Sequence, residues 1–125
     1  MPRVLIADDN ESMRSLMALT LDSGRFEILE AQDGVSAIEV ALAERPELIF
    51  LDWSMPGRSG IEVCRALRED PRTAGTKIVM VTARVQDHER QAGFEAGADD
   101  YITKPFSPIQ LLDKVAEVLG PEALR

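Results

Sequence analysis

Five short apolar runs punctuate the chain at regular intervals: RVLIA (3–7), FEILE (26–30), ELIFL (47–51), KIVMV (77–81) and DYIT (100–103). The gaps between them carry a helical period. Strict alternation of strand and helix over five units leaves few folds open, because parallel strands joined by right-handed crossovers place helices on both faces of one sheet. Interior parallel strands are buried on both sides and read as unbroken apolar runs, whereas an edge strand alternates or is short. Segments 4–7, 48–51 and 78–81 therefore belong inside; FEILE, which alternates, and the short DYIT belong at the edges. Strand order 2-1-3-4-5 satisfies that sorting. The expected fold class is α/β, a doubly wound five-stranded parallel sheet whose topological switch lies between the first and third strands.

The helices follow from spacing and punctuation. Met13, Leu16, Met17 and Leu21 form one stripe, predicting a helix over about 10–23 that stops at Gly24. A second starts behind Asp33, turns Val35, Ile38, Ala41 and Leu42 inward, and ends at Pro46. A third runs from near Ser59 to Asp70 with Ile61, Cys64 and Leu67 inward. The fifth is the best defined: Ser107 caps it, Pro108 takes the first helical position, Gln110 completes a capping box, and Phe106 with Leu111 forms a hydrophobic staple. The fourth, QDHERQAGFEAGA, has Gly93 inside and only Phe94 and alanines as apolar content. It should be loosely held.

At 125 residues, with 45% hydrophobic and 29% charged, the chain is expected to form one domain with a core over about 3–119 and a tail over 120–125. The tail is too short to be an output domain. A net charge of -8, with no offsetting basic run, argues against direct nucleic-acid binding. Cys64 is the single cysteine, so no internal disulfide can form, and it reads as a small core residue on the third helix. The first apolar run is too short for a signal-peptide core or a membrane span, so a cytoplasmic location without membrane contact is expected.

In an open parallel sheet, sites form beyond the carboxyl ends of the strands at the switch. The first strand ends in Asp8 and Asp9, the third in Asp52, the fourth in Thr82 and the fifth in Lys104. Three crowded carboxylates repel one another unless a cation neutralises them. Minus three from the acids and plus one from Lys104 leaves minus two, the charge one Mg²⁺ balances. Magnesium favours one or two carboxylates with waters and phosphate oxygens, so the site invites a phosphoryl ligand. A nucleophilic carboxylate beside a metal, an amine and a hydroxyl suits phosphoryl transfer, with Asp52 as acceptor and Asp8 and Asp9 as metal holders. Taken singly, each residue has an ordinary alternative. Residues 8–10 can cap the first helix, Asp52 can serve the following turn, and Thr82 and Lys104 can be surface groups.

With ADDN, LDWSMPGRSG, VTA and YITKPF in this order, the chain resembles a response-regulator receiver domain, the phosphoacceptor module of two-component signalling. The resemblance covers residues 3 to about 119 and implies a flavodoxin-like, three-layer (βα)5 sandwich. It implies that Asp52 takes a phosphoryl group from a sensor histidine kinase or histidine phosphotransfer protein. Asp9, Asp52 and the Ser54 main-chain carbonyl would hold Mg²⁺, with Asp8 acting partly through water. Lys104 would pair with the phosphoryl oxygens and precede a cis proline. Thr82 would turn toward the phosphate on activation, and Tyr101 would swing inward behind it. Ser54 and Arg84 would overlook the phosphoryl group. The signalling face would be helix 4, strand 5 and helix 5, toward a downstream effector, with a phosphorylation-linked homodimer as a further candidate. Such a protein catalyses its own phosphorylation and slow dephosphorylation and is not a conventional enzyme.

Trp53 is bulkier than the aliphatic residue usual after the acceptor and is expected to pack under the loop. His88, in the polar fourth helix, is expected in solvent. Two other classes stay open: a phosphorylation-independent docking module of the same fold, and a Mg²⁺-dependent aspartyl phosphohydrolase. The second would need Asp-x-Asp after the first strand, where this chain has Asp8-Asp9-Asn10.

Overall fold

Five strands alternate with five α-helices: β1 (Arg3–Ala7), α1 (Glu11–Leu21), β2 (Glu27–Ala31), α2 (Gly34–Glu44), β3 (Leu48–Asp52), α3 (Gly60–Glu69), β4 (Lys77–Thr82), α4 (Asp87–Ala96), β5 (Asp100–Thr103) and α5 (Pro108–Leu119). A 3-10 turn over Pro121–Leu124 follows. The computed structural model describes residues 1–22, 24–83 and 87–124, apart from the side chains of Asp87, Ala123 and Leu124. All strand pairs are parallel, in the order β2-β1-β3-β4-β5. This is the expected doubly wound, flavodoxin-like sheet.

Pleating divides the core. Leu5, Ala7, Ile49, Leu51, Ile78 and Met80 face one side, under α2, α3 and the end of α4. Val4, Ile6, Leu48, Phe50, Val79 and Val81 alternate with them and face α1 and α5. All are at most 1% exposed, and each large aliphatic side chain so buried contributes about 1.5–3 kcal/mol. Register aligns the carboxyl ends: Ala7 pairs with Leu51, Leu51 with Met80, and Met80 with Tyr101. The polar residues that follow these positions therefore emerge at nearly one level.

Caps match the sequence closely at α5, where Ser107 and Gln110 form the capping box and Pro108 opens the helix. Phe106 and Leu111 pack in the same cluster, as a staple requires. A second capping box, Ser59 with Glu62, opens α3, where Val63, Cys64 and Leu67 are buried and Ile61 is half-buried. The inward faces of α1 and α2 differ from the expected stripes. Met17 and Leu21 are buried, but Leu16 is 49% exposed and Ala18 packs inward instead. In α2 the buried residues are Gly34, Ala37 and Ala41, while Val35 is 50% exposed. Small residues line that face because the helix comes close to its neighbours: a Cβ on Gly34 would lie 2.4 Å from the Arg58 carbonyl oxygen. Arg45, in the left-handed region at φ 48°, ends α2 just before Pro46.

Candidate functional site

Ladder bonds reach one step past the strands and fix the backbone of the polar residues. Asp8 N donates to Ala31 O, Trp53 N to Val81 O and Lys104 N to Thr82 O, at 3.1, 3.0 and 2.8 Å. Asn10, not either aspartate, caps α1: its side chain accepts from Met13 N at 3.0 Å. That leaves Asp8 and Asp9 for the crevice. Oδ1 of Asp8 accepts from Asn10 N at 2.9 Å, and its Oδ2 accepts from Lys104 Nζ at 3.2 Å. Lys104 Nζ also donates to Asp52 Oδ1 at 3.5 Å, which Ser54 N approaches at 3.4 Å.

Asp8 and Asp52 are 1% and 6% exposed, and Asp9 stands at the open rim. A carboxylate oxygen from each of the three lies within 4.8 Å of the others. Like charges at that spacing repel by about 3 kcal/mol at an effective dielectric near 20. The effect appears at Asp52, whose carboxyl is pushed up to about 6 by burial first and by Asp8 second. Lys104 and the Ser54 backbone N–H pull the other way without cancelling it. The donors are all oxygens, the set that Mg²⁺ prefers, and the cluster holds more negative charge than its single lysine balances. The residues fit a hard divalent cation.

The pleat then splits the site. Asp52 follows the alternation of Leu48 and Phe50 toward the α1 and α5 side, while Trp53 packs with the opposite cluster. Thr82, 4% exposed, also turns that way and lines a small cavity with Trp53, Met80, Arg90, Phe94 and Tyr101. The free volume there is about 10 Å³, barely one water. Tyr101 is already half-buried, with Arg90 4.5 Å over its ring centre and Phe94 edge-on at 6.0 Å. Trp53 meets α4 rather than lying beneath its own loop: a Cβ on Gly93 would be 3.3 Å from its Cζ3. A Cβ on Gly60 would sit 2.5 Å from the Asp52 carbonyl oxygen, so glycine there lets α3 start directly behind the acid.

Of the residues singled out from sequence, Asp8, Asp9, Asp52 and Lys104 converge; Thr82 borders both their cleft and the cavity on the Trp53 side, Ser54 is at the rim and Tyr101 on the far face of the sheet. The Lys104-Pro105 bond is cis. Arg84 lies outside the described residues. The His88 side chain is 76% exposed. Cys64 is fully buried, its thiol donating to Ala96 O at 3.4 Å and pushed up to about 11 by burial, which suits packing rather than chemistry. Sequence alone did not reveal Arg14, whose Nη1 donates to Asp8 O at 2.8 Å and steadies that strand end. An arginine one turn into a helix behind an acidic strand end is the only signal it offers.

Comparison with known proteins agrees with this geometry. A family model described as the response regulator receiver domain matches residues 4–116. The phosphate regulon transcriptional regulatory protein PhoB of Pseudomonas aeruginosa is 43% identical over 116 residues, covering 93% of this chain and 51% of the relative. The transcriptional regulatory protein ResD of Bacillus subtilis is 43% identical over 117 residues, covering 94% and 48%. The chain thus spans about half the length of these curated relatives. Among solved structures, the chemotaxis protein CheY4 of Vibrio cholerae superimposes with a TM-score of 0.90 at 33% identity, covering 94% of this chain and 98% of that one. With the sheet order, the strand-end acids and the matched span all in accord, the chain belongs to the response regulator receiver domain family.

Proposed function

We propose that Asp52 accepts a phosphoryl group from a phosphohistidine on a sensor histidine kinase or a histidine phosphotransfer protein, in a Mg²⁺-dependent step. The observation that carries this is the meeting of three carboxylates within 4.8 Å, with Lys104 Nζ reaching two of them. A carboxylate oxygen of Asp52 attacks phosphorus as the P–N bond to imidazole breaks, and the imidazole nitrogen leaves with the electron pair. An acyl phosphate results. Asp8, Asp9, Asp52 and the Ser54 carbonyl would hold Mg²⁺, which when bound supplies charge stabilisation to the transferring oxygens. Lys104, already poised between Asp8 and Asp52, follows the developing charge. Thr82 supplies a hydroxyl that favours the phosphorylated form by moving toward it. Tyr101 and α4, on the other face, carry the change to an effector through the α4, β5 and α5 surface. Slow loss of the phosphoryl group resets the switch, so the domain acts on itself rather than as a turnover enzyme.

Incubation with Mg²⁺ and acetyl phosphate, followed by intact mass spectrometry, should show one added phosphoryl group. Asp52→Asn should abolish it, as should chelation of the metal. An adduct of equal yield in Asp52→Asn would place the acceptor elsewhere. Trp53 emission, read during Mg²⁺ titration, should change because its backbone follows Asp52 directly and its ring rests against Gly93 of α4; a flat titration would favour a phosphorylation-independent docking role.

A further inference from the structure

An α-helix leaves its last carbonyls without partners inside the helix. At the end of α4 the chain turns through Gly97 at φ 112°, where Gly97 N bonds Phe94 O and Ala98 N bonds Gly93 O, both at 3.0 Å. This is a Schellman closure. The carbonyls beyond it are taken by side chains of a different helix. Cys64, on α3, donates its thiol to Ala96 O, and Arg68, one turn further along α3, donates Nε to Gly97 O at 2.8 Å.

Arg68 does more than cap. Its Nη1 donates to Ala74 O at 3.0 Å and also to Thr76 O, in the turn before β4. Its Nη2 pairs with Asp99 Oδ2 at 2.7 Å, and that same oxygen accepts from Ile78 N at 2.8 Å. One planar guanidinium thus ties α3, the approach to β4 and the turn from α4 into β5 at a single point. The fit is close: a Cβ on Gly97 would fall 2.5 Å from Arg68 Cγ. A lysine carries one nitrogen and cannot reproduce a fork that serves four acceptors.

Further up α4 the contacts run through side chains instead: Arg90 lies 4.5 Å over the Tyr101 ring and Phe94 meets that ring edge-on at 6.0 Å. Among the described residues of α4, Gly93 and Ala96 are buried, Phe94 is 46% exposed, and Gly93 abuts the ring of Trp53, the residue that follows Asp52. We infer that Arg68 is the pivot of α4: a positioning residue that fixes the carboxyl end of the helix, so that events at Asp52 swing its amino-terminal part. The inference rests on Asp52 being the phosphoacceptor. Arg68 is remote from the acids and takes no part in the chemistry. It governs where the response is expressed.

The test is amide exchange by NMR on the intact chain, with Mg²⁺ alone and with Mg²⁺ plus acetyl phosphate, while mass spectrometry follows the adduct. In the unaltered protein, phosphorylation should speed exchange at the described α4 amides ahead of Gly93 and leave Gly97 and Ala98 within about twofold of their resting rates. Arg68→Gln should take up phosphate normally, yet Gly97 and Ala98 should exchange at least tenfold faster once phosphorylated. Arg68→Lys, which keeps the charge and stands in should the glutamine variant fail to fold, should fall between. Uniform acceleration along α4 in the unaltered protein, or unchanged Gly97 and Ala98 protection in both variants, would overturn the pivot. Failure of every form to acquire phosphate would instead strike the acceptor assignment.

Discussion

Helices α5 and α4 flank β5 on opposite faces of one sheet and are held to very different standards. The α5 helix has a capping box, a proline at its start, and Leu111 and Val115 wholly buried. Lys114 ties it to Asp100 on β5 at 3.0 Å. The α4 helix buries a glycine and an alanine and leaves its phenylalanine half out. Each large side chain fully buried contributes about 1.5–3 kcal/mol, which α4 lacks and α5 has at least twice. The crevice shares the character of α4: it holds buried like charges that cost stability at rest. One half of the molecule is built for fixity, and the other is held by less burial and carries unrelieved charge.

Substitution can break that contrast. Leu111→Ala should cost about 2–5 kcal/mol in urea unfolding, whereas Phe94→Ala on α4 should cost no more than about 1 kcal/mol. Equal losses would mean that the two helices are equally anchored. In the crevice the sign should reverse. The Asp52 carboxyl is raised from 3.8 to about 6, so burying it ionised carries a penalty that is absent below pH 4, grows between pH 4 and 6, and is complete above. Asp52→Asn should therefore stabilise the metal-free protein at pH 7 by up to about 3 kcal/mol, and the gain should vanish toward pH 4. A destabilised variant at pH 7 would show that the acid is well satisfied without a cation. The smallest effect belongs to Gly93→Ala. Better helix propensity favours alanine by about 1 kcal/mol, while the added Cβ, 3.3 Å from Trp53 Cζ3, opposes it. The net should stay within about 0.5 kcal/mol, yet Trp53 emission should shift, and an unmoved spectrum would deny the contact.

Much of this was readable in the chain. Unbroken runs and a lone alternating one separate interior from edge strands because parallel sheets bury both faces, and the four polar strand ends follow from that order. Caps at α5 were equally plain, since their geometry is local. Helix faces were less so. Val35 lies outward because α2 approaches through Gly34, Ala37 and Ala41, and Leu16 because α1 turns Met17, Ala18 and Leu21 inward; hydrophobicity alone does not encode how close two backbones come. Arg68 was invisible for a different reason. Its partners are carbonyls 6, 8 and 29 residues away and an aspartate 31 away, so no local pattern distinguishes it from an ordinary solvated arginine.

Asp52 and Trp53 are neighbours along the chain, yet the pleat sends the acid toward α1 and α5 and the indole toward α4. On the proposed function, a bond made at the acid would act on the other side across the thickness of a single layer. A target protein resting on the far side could sense the modification without ever meeting the modified atom.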